Sequence, residues 1–488
     1  MKKKIFINLI VLLSIIIMPI SLFAENGVDS KNQANVTFKY NPEEQKEVEG
    51  IPEIGCKAVY IAEPITGKVL YEKNAHEKMY PASTTKILTA LLALEKCQLT
   101  DTAVVSQHAI DIVPEGYSNA NLKAGETHTI NDLLYALLLP SANEAANVLA
   151  EHISGSVEEF AELCNNRAAE LGCENLHFTN ANGLHDENHY CTAYDLYLIA
   201  KECRKYEAFN EIVKTKTYTL PSTDIYPEKR VIKNTNELLY PGLYYYANCT
   251  GIKTGHTTPA GECLVASSSY NDLELISVVL GGKSSNNKGL NERFYDTKRL
   301  CEFVYDNYSI KEIANNGDHV ANLSVGKANN ETKALDVIVG NDISTILPND
   351  LNKENLLTNV YINEDIEAPI EQNQVLGHID YHADGLVYTT DIIASHSVQK
   401  LPYTLYNIAV VGAVVLTLGV FIILIKKSKR YKIIIIIIEI AIITGVYIAV
   451  SPLVKEYIEN TKTIITPVED KNIEEPDTQD IEIEEEQV

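Results

Sequence analysis

Pro81-Ala82-Ser83-Thr84-Thr85-Lys86-Ile87-Leu88-Thr89-Ala90 is the stretch that decides the fold. It opens an apolar helix in which Ile87, Leu88, Leu91, Leu92 and Leu94 recur at helical spacing. Ser83 and Lys86 stand three positions apart, so one helix face brings the amine to the hydroxyl. A serine hydroxyl is a weak nucleophile at neutral pH and needs a base. A lysine enclosed by apolar neighbours and near a second ammonium loses proton affinity, which leaves part of it as neutral amine. The start of a helix adds backbone N–H groups and a positive dipole, which favour developing oxyanion charge. Taken alone, the pair reads as a helix cap with a solvated lysine, because both residue types are common.

Two further motifs lie downstream. Ser141-Ala142-Asn143 follows Pro140, which ends an apolar helix. Ser141 can relay a proton to a leaving amine and Asn143 can hold a substrate amide; the plain alternative is an N-cap serine with a local Asn turn. Lys253-Thr254-Gly255 ends a strand and is followed by His256. A cation and a hydroxyl on a strand edge suit a carboxylate, and the strand backbone suits an extended peptide. Each motif has an ordinary structural reading by itself. The three in this order are the shared signature of penicillin-binding proteins and class A β-lactamases.

The matching text is longer than the motifs. It comprises residues 81–90, 133–143 (Leu133 to Asn143), 183–195 (Gly183 to Asp195) and 251–257 (Gly251 to Thr257). On these residues the chain, over about 55–305, resembles the serine-type D-alanyl-D-alanine carboxypeptidases, the low-molecular-mass penicillin-binding proteins. Residues 368–378 resemble that family's C-terminal domain. The family usually has Ser-Gly-Asn-Asp where this chain has Ser141-Ala142-Asn143-Glu144, and Ser where it has Cys191; neither departure removes a catalytic group. The resemblance implies an α/β penicillin-binding (DD-peptidase) fold: an antiparallel sheet flanked by helices, with a helical subdomain, followed by a small all-β domain. It implies Ser83 as the acylated nucleophile, Lys86 as its base and Ser141 as proton shuttle. Asn143 would hold the substrate amide, and Lys253 and Thr254, with Gly255 of the same motif, the terminal carboxylate. The backbone N–H groups of Ser83 and His256 would form the oxyanion hole. The implied substrate is the D-Ala-D-Ala end of peptidoglycan pentapeptide stems, with β-lactams as acylating mimics, and neither cofactor nor metal is implied. A β-lactamase and a wall-binding scaffold that no longer turns over are the alternatives.

The rest of the chain sets the context. Its 488 residues exceed what one core usually organises. Lys+Arg is 41 against Asp+Glu 66, a net charge of −25, which argues against a nucleic-acid partner. Residues 1–24 read as a signal peptide: Lys2, Lys3 and Lys4 precede an apolar run from Ile5 to Phe23, with cleavage expected after Ala24. Leu22 is large for such a site, and an uncleaved anchor is the alternative. Residues 25–50 read as a patternless linker, 51–306 as the α/β domain and 309–400 as the β domain. Residues 405–425 form an apolar run long enough to span a bilayer, and 433–450 form a second, interrupted by Glu439. The basic loop 426–432 between them belongs in the cytoplasm by the positive-inside rule, with the catalytic domain outside and the lipid bilayer as a partner. A single span, with the second run re-entrant or interfacial, is the alternative to a hairpin. Residues 464–488 read as an acidic, disordered tail.

Nine cysteines cannot all pair, and no C-x-x-C occurs. Two decoys complete the reading. His185 and His189 have H-x-x-x-H spacing but sit in a loop, not on a helix face. Glu162 partly resembles a deacylating glutamate but falls inside a well-capped helix.

Overall fold

The computed structural model describes residues 50–400, apart from Asn330, Glu354, Asn355, Glu364, Asp365, Asp384 and Gly385. It also describes the backbone of Val36–Thr37 and Ile464–Pro467, and five helical positions between 412 and 444. The expected signal peptide, most of both apolar runs and the chain beyond Pro467 lie outside the described residues. Among the described residues no helix is long and apolar enough to cross a membrane. The chain divides into two compact units: residues 46–311 with 345–351, and residues 1–45, 312–344 and 352–488.

The first unit is built on five antiparallel strands: β1 Ala58–Ala62, β2 Val69–Lys73, β3 Cys249–Thr257, β4 Gly261–Tyr270 and β5 Leu273–Gly282. Their order is β2-β1-β5-β4-β3, so chain inserted between β2 and β3 separates sheet neighbours. β1 is buried along its whole length because it serves two cores. Ala58, Tyr60 and Ala62 face a cluster with the inserted helices. Val59 and Ile61 face the opposite cluster, with Phe294 and Leu300. The two sets alternate with the strand period of two, which is why the strand reads as a continuous apolar run.

Besides a short helix at Gln107–Asp111, the helices are α1 Lys86–Lys96, α2 Ile130–Leu138, α3 Asn143–Ser154, α4 Val157–Glu170, α5 Ala193–Cys203, α6 Glu207–Lys214 and α7 Glu292–Asn307. Capping boxes start α2 at Thr129/Asp132 and α5 at Thr192/Asp195, as their sequences indicate. Ser156 starts α4 by accepting from the Glu159 N–H. α6 has no counterpart in the sequence reading. α1 is buried from Lys86 through Ala93 on every face, the mark of a central helix.

The chain enters α1 differently from the expectation. Ala82–Thr85 is a 3₁₀ turn, and Ala82 has φ +49°. The Thr84 and Thr85 hydroxyls donate to the Pro81 and Ala82 carbonyls at 2.7 and 2.8 Å, local side-chain bonds that compete with the regular helical ladder. A 3₁₀ turn eclipses residues three apart, so Ser83 still stands over Lys86.

The second unit carries β6 His319–Ser324, β7 Ala334–Val339, β8 Leu357–Ile362, β9 Val375–Ala383 and β10 Leu386–Ala394. They form one sheet in the order 36–37, β8, β9, β10, β7, β6, 464–467. Two expectations are corrected here. The linker 25–50 contains a strand at Val36–Thr37, and the acidic tail 464–488 begins with one at Ile464–Pro467. Both are short β-branched segments, Val-Thr and Ile-Ile-Thr, inside polar text, and composition over a longer window hides them. All nine cysteines are free thiols.

One glycine fixes the loop against the turn that holds Ser83. Gly183 has φ +81°, and a Cβ there would overlap the Ala82 carbonyl and stand 2.9 Å from Thr85 Oγ1. Gly183→Ala is expected to destabilise the first unit by about 1–3 kcal/mol through strain. Thermal unfolding measures this, and an unchanged melting temperature would show that the loop does not press on the turn.

Candidate active site

Lys86 is the most enclosed charged group at the site, with no exposed surface. Its position at the first turn of a fully buried helix leaves it no exposed surface, so its Nζ depends on protein partners. Among the described residues these are Ser83 Oγ at 3.0 Å, Asn143 Oδ1 at 2.8 Å and the Asn182 carbonyl at 2.5 Å. Burial, and next the Lys253 ammonium, hold its pKa well below the ordinary lysine value, while Glu144 opposes them. A neutral amine has two hydrogens and one lone pair. With the hydrogens given to Asn143 Oδ1 and Asn182 O, the lone pair is left for the Ser83 hydroxyl.

Each partner is held in turn. Asn143 is the first residue of α3, and its Nδ2 donates to the Ser118 carbonyl at 3.0 Å. Asn182 is fixed by its side-chain amide, which donates to Asn147 Oδ1 on α3 at 3.0 Å. Glu144 is buried, accepts from the Ala120 N–H at 2.7 Å, and has its pKa raised by desolvation. Ser141 is buried in the left-handed region at φ +66°, and its hydroxyl has no hydrogen-bond partner among the described residues.

β3 brings the third motif alongside. It is an edge strand, so one of its sides has no strand partner within the five-stranded sheet. Gly255 lies so close to the nucleophile turn that a Cβ would stand 3.1 Å from the Ser83 nitrogen and 2.9 Å from the Pro81 carbonyl oxygen. Lys253 is buried, donates to the Thr254 carbonyl at 3.0 Å, and is lowered to about 7 by desolvation and by Arg293. The Thr254 hydroxyl meets that of Thr235 at 2.5 Å. The His256 imidazole is exposed and lies 3.0 Å from Glu262.

The sequence reading misses Arg293, Asn182 and Glu262. Arg293 on α7 donates to the Gly255 carbonyl at 3.0 Å and pairs with Glu262 at 2.6 Å. No spacing rule links a helix residue to a strand motif 40 positions earlier, and Asn182 acts through its backbone carbonyl, which has no residue signature. The decoys resolve differently. His185 is exposed against Tyr80, whereas His189 is buried. The Thr179 N–H donates to His189 Nδ1 at 3.0 Å, leaving Nε2 to donate to Thr85 Oγ1 at 2.8 Å. Burial holds His189 down to about 3, so it braces the turn as a neutral ring. Glu162 is exposed on α4.

Comparison with known proteins shows the family. Residues 44–284 match the family model for D-alanyl-D-alanine carboxypeptidases, and residues 308–400 match that for the penicillin-binding protein 5 C-terminal domain. D-alanyl-D-alanine carboxypeptidase DacF of Bacillus subtilis (strain 168) is 33% identical over 353 residues, covering 71% of this chain and 86% of that protein. D-alanyl-D-alanine carboxypeptidase DacA of Escherichia coli (strain K12) is 30% identical over 348 residues, covering 69% and 82%. The crystal structure of penicillin binding protein 5 from Haemophilus influenzae aligns with a TM-score of 0.55 at 26% identity, covering 72% of this chain and 99% of that one.

Proposed function

This chain belongs to the D-alanyl-D-alanine carboxypeptidase family of penicillin-binding proteins, and from that premise we propose which of its atoms carry the hydrolysis. The observation that bears most weight is the buried Lys86 amine, held within hydrogen-bond distance of three oxygens, one of them Ser83 Oγ. Lys86 takes the Ser83 proton as Oγ attacks the carbonyl of the penultimate D-Ala. The negative charge that develops lies against the Ser83 and His256 N–H groups, donors of a kind worth on the order of 10²–10³ each in rate. As the C–N bond breaks, the proton passes from Lys86 through the Ser141 hydroxyl to the departing D-Ala amine. Water then attacks the ester, with Lys86 again as base, and Ser83 regains its proton.

Substrate orientation follows from charge and edge. The terminal carboxylate is clasped by Lys253 and the Thr254 hydroxyl. The stem peptide lies along the free edge of β3, and Asn143 holds its amide through the Nδ2 hydrogen not given to the Ser118 carbonyl. A β-lactam presents a carboxylate and a strained amide with the same separation and acylates Ser83. The apolar runs would keep the enzyme at the outer face of the cell membrane, where pentapeptide stems are found. A β-lactamase reading is disfavoured by the surface position of Glu162, which cannot deliver a deacylating water.

Ser83→Ala is expected to reduce D-Ala release by a factor on the order of 10³ or more and to eliminate covalent penicillin labelling, with melting temperature unchanged. Mass spectrometry of the penicillin-treated variant decides this, and a persistent adduct would remove Ser83 from the role. Lys253 gives a pH signature. It is charged below about 7 in the free site, so kcat/KM for a peptide acid should begin to fall above that pH, well before the ordinary lysine value of 10.5. The corresponding peptide amide has no carboxylate to lose its cation and should show no such fall. Parallel profiles for acid and amide would show that Lys253 does not hold the carboxylate.

A further inference from the structure

Both edges of the seven-stranded sheet in the second unit are filled by segments that neighbour the apolar runs of the sequence. Val36–Thr37 pairs antiparallel with β8, Val36 opposite Val360 and Thr37 opposite Asn359. Ile464–Pro467 pairs antiparallel with β6: Ser324 is opposite Ile464, Leu323 opposite Ile465, Asn322 opposite Thr466 and Ala321 opposite Pro467. The sheet domain holds the chain as far as Lys400, which bridges to Ala328. Between Lys400 and Ile464 stand the apolar runs 405–425 and 433–450, separated by Lys426-Lys427-Ser428-Lys429-Arg430-Tyr431-Lys432.

A strand pairs only with a strand on its own side of a bilayer. Segments that cross do so as whole helices or closed barrels, because the hydrocarbon interior supplies no partners for backbone groups. The pairing of β6 with Ile464–Pro467 therefore requires an even number of crossings between Lys400 and Ile464. Runs of 21 and 18 residues are each near the roughly 20 needed to span. The five cations of the intervening loop obey the positive-inside rule independently. We propose that the two runs form a transmembrane hairpin whose return strand, Ile464–Pro467, closes the β6 edge. The loop 426–432 then lies on the opposite side of the membrane from the sheet, and the acidic chain after Pro467 lies on the same side. The strand is suited to the task. Ile464, Ile465 and Thr466 are β-branched, and Pro467 ends the pairing where a ladder N–H is no longer needed. An open β6 edge would invite pairing with a second copy, and a tethered segment outcompetes it by effective concentration.

The test uses the full-length chain in protoplasts, with one epitope inserted after Ser428 and, in a second strain, one after Val488. Antibody should reach the terminal epitope on intact protoplasts and the loop epitope only after lysis. A terminal epitope protected until lysis would mean one crossing, and a loop epitope exposed on intact protoplasts would mean none; each overturns the hairpin. The strand is tested by oxidation. Asn322→Cys with Thr466→Cys should form an internal disulfide, at least fivefold more than Asn322→Cys with Ile464→Cys, which is two positions out of register, and more than the parent chain with its native thiols. Equal yields, or none, overturn the strand closure. The proposal rests on the exported-enzyme reading for the side it assigns, so penicillin labelling is scored in the same protoplasts. A protein that labels but protects its tail fails the topology alone.

Discussion

Everything at the site depends on one buried amine. Lys86 is the first residue of a helix buried on all faces, and among the described residues its Nζ is satisfied by Ser83, Asn143 and Asn182. These arrive from three places: the 3₁₀ turn before α1, the start of α3 and the loop after α4. The same burial that lowers the proton affinity of the amine also forces those three segments together, since an unpartnered buried amine would cost several kcal/mol. Chemistry and architecture are thus one constraint, and the bracing of Asn182 by Asn147 and of Thr85 by His189 serves it.

The electrostatics run against the composition. The whole chain carries a net charge of −25, yet Lys86, Lys253 and Arg293 gather at the cleft with Glu144 and Glu262 as the acidic groups among them. Lys253 depresses Lys86, and Arg293 depresses Lys253. An acidic protein thus sets its cations side by side at one spot, where each lowers the proton affinity of the next. Arg293 is tied to Glu262 and the Gly255 carbonyl, so it shapes the strand as well as the field.

Much of this was legible in the residues. The strands β1 to β5, the capped helices and the family resemblance all followed from period, caps and three ordered motifs. Three of the features that were not legible show the physical reasons. The 3₁₀ entry to α1 depends on Thr84 and Thr85 donating backward to carbonyls, which a helical pattern does not distinguish from a regular first turn. Asn182 contributes a main-chain oxygen, and main-chain atoms have no sequence identity. The strands Val36–Thr37 and Ile464–Pro467 owe their conformation to partners far along the chain, and two to four residues carry too little period to show it.

The pairing of β1 carries a consequence for biogenesis. Ala62 lies opposite Ile276, so the first strand of the sheet emerges 214 positions ahead of its central neighbour. Until then β2 is its one partner in the five-stranded sheet, and the edge that β5 will cover stays open. Loop closure over such a span is slow and exposes strand surface meanwhile. A chain that cannot seal its sheet before residue 282 remains threadable while most of the first unit is still being made. Its late closure also means that β3, whose Gly255 packs against the turn of Ser83, reaches that turn only after most of the first unit has been made.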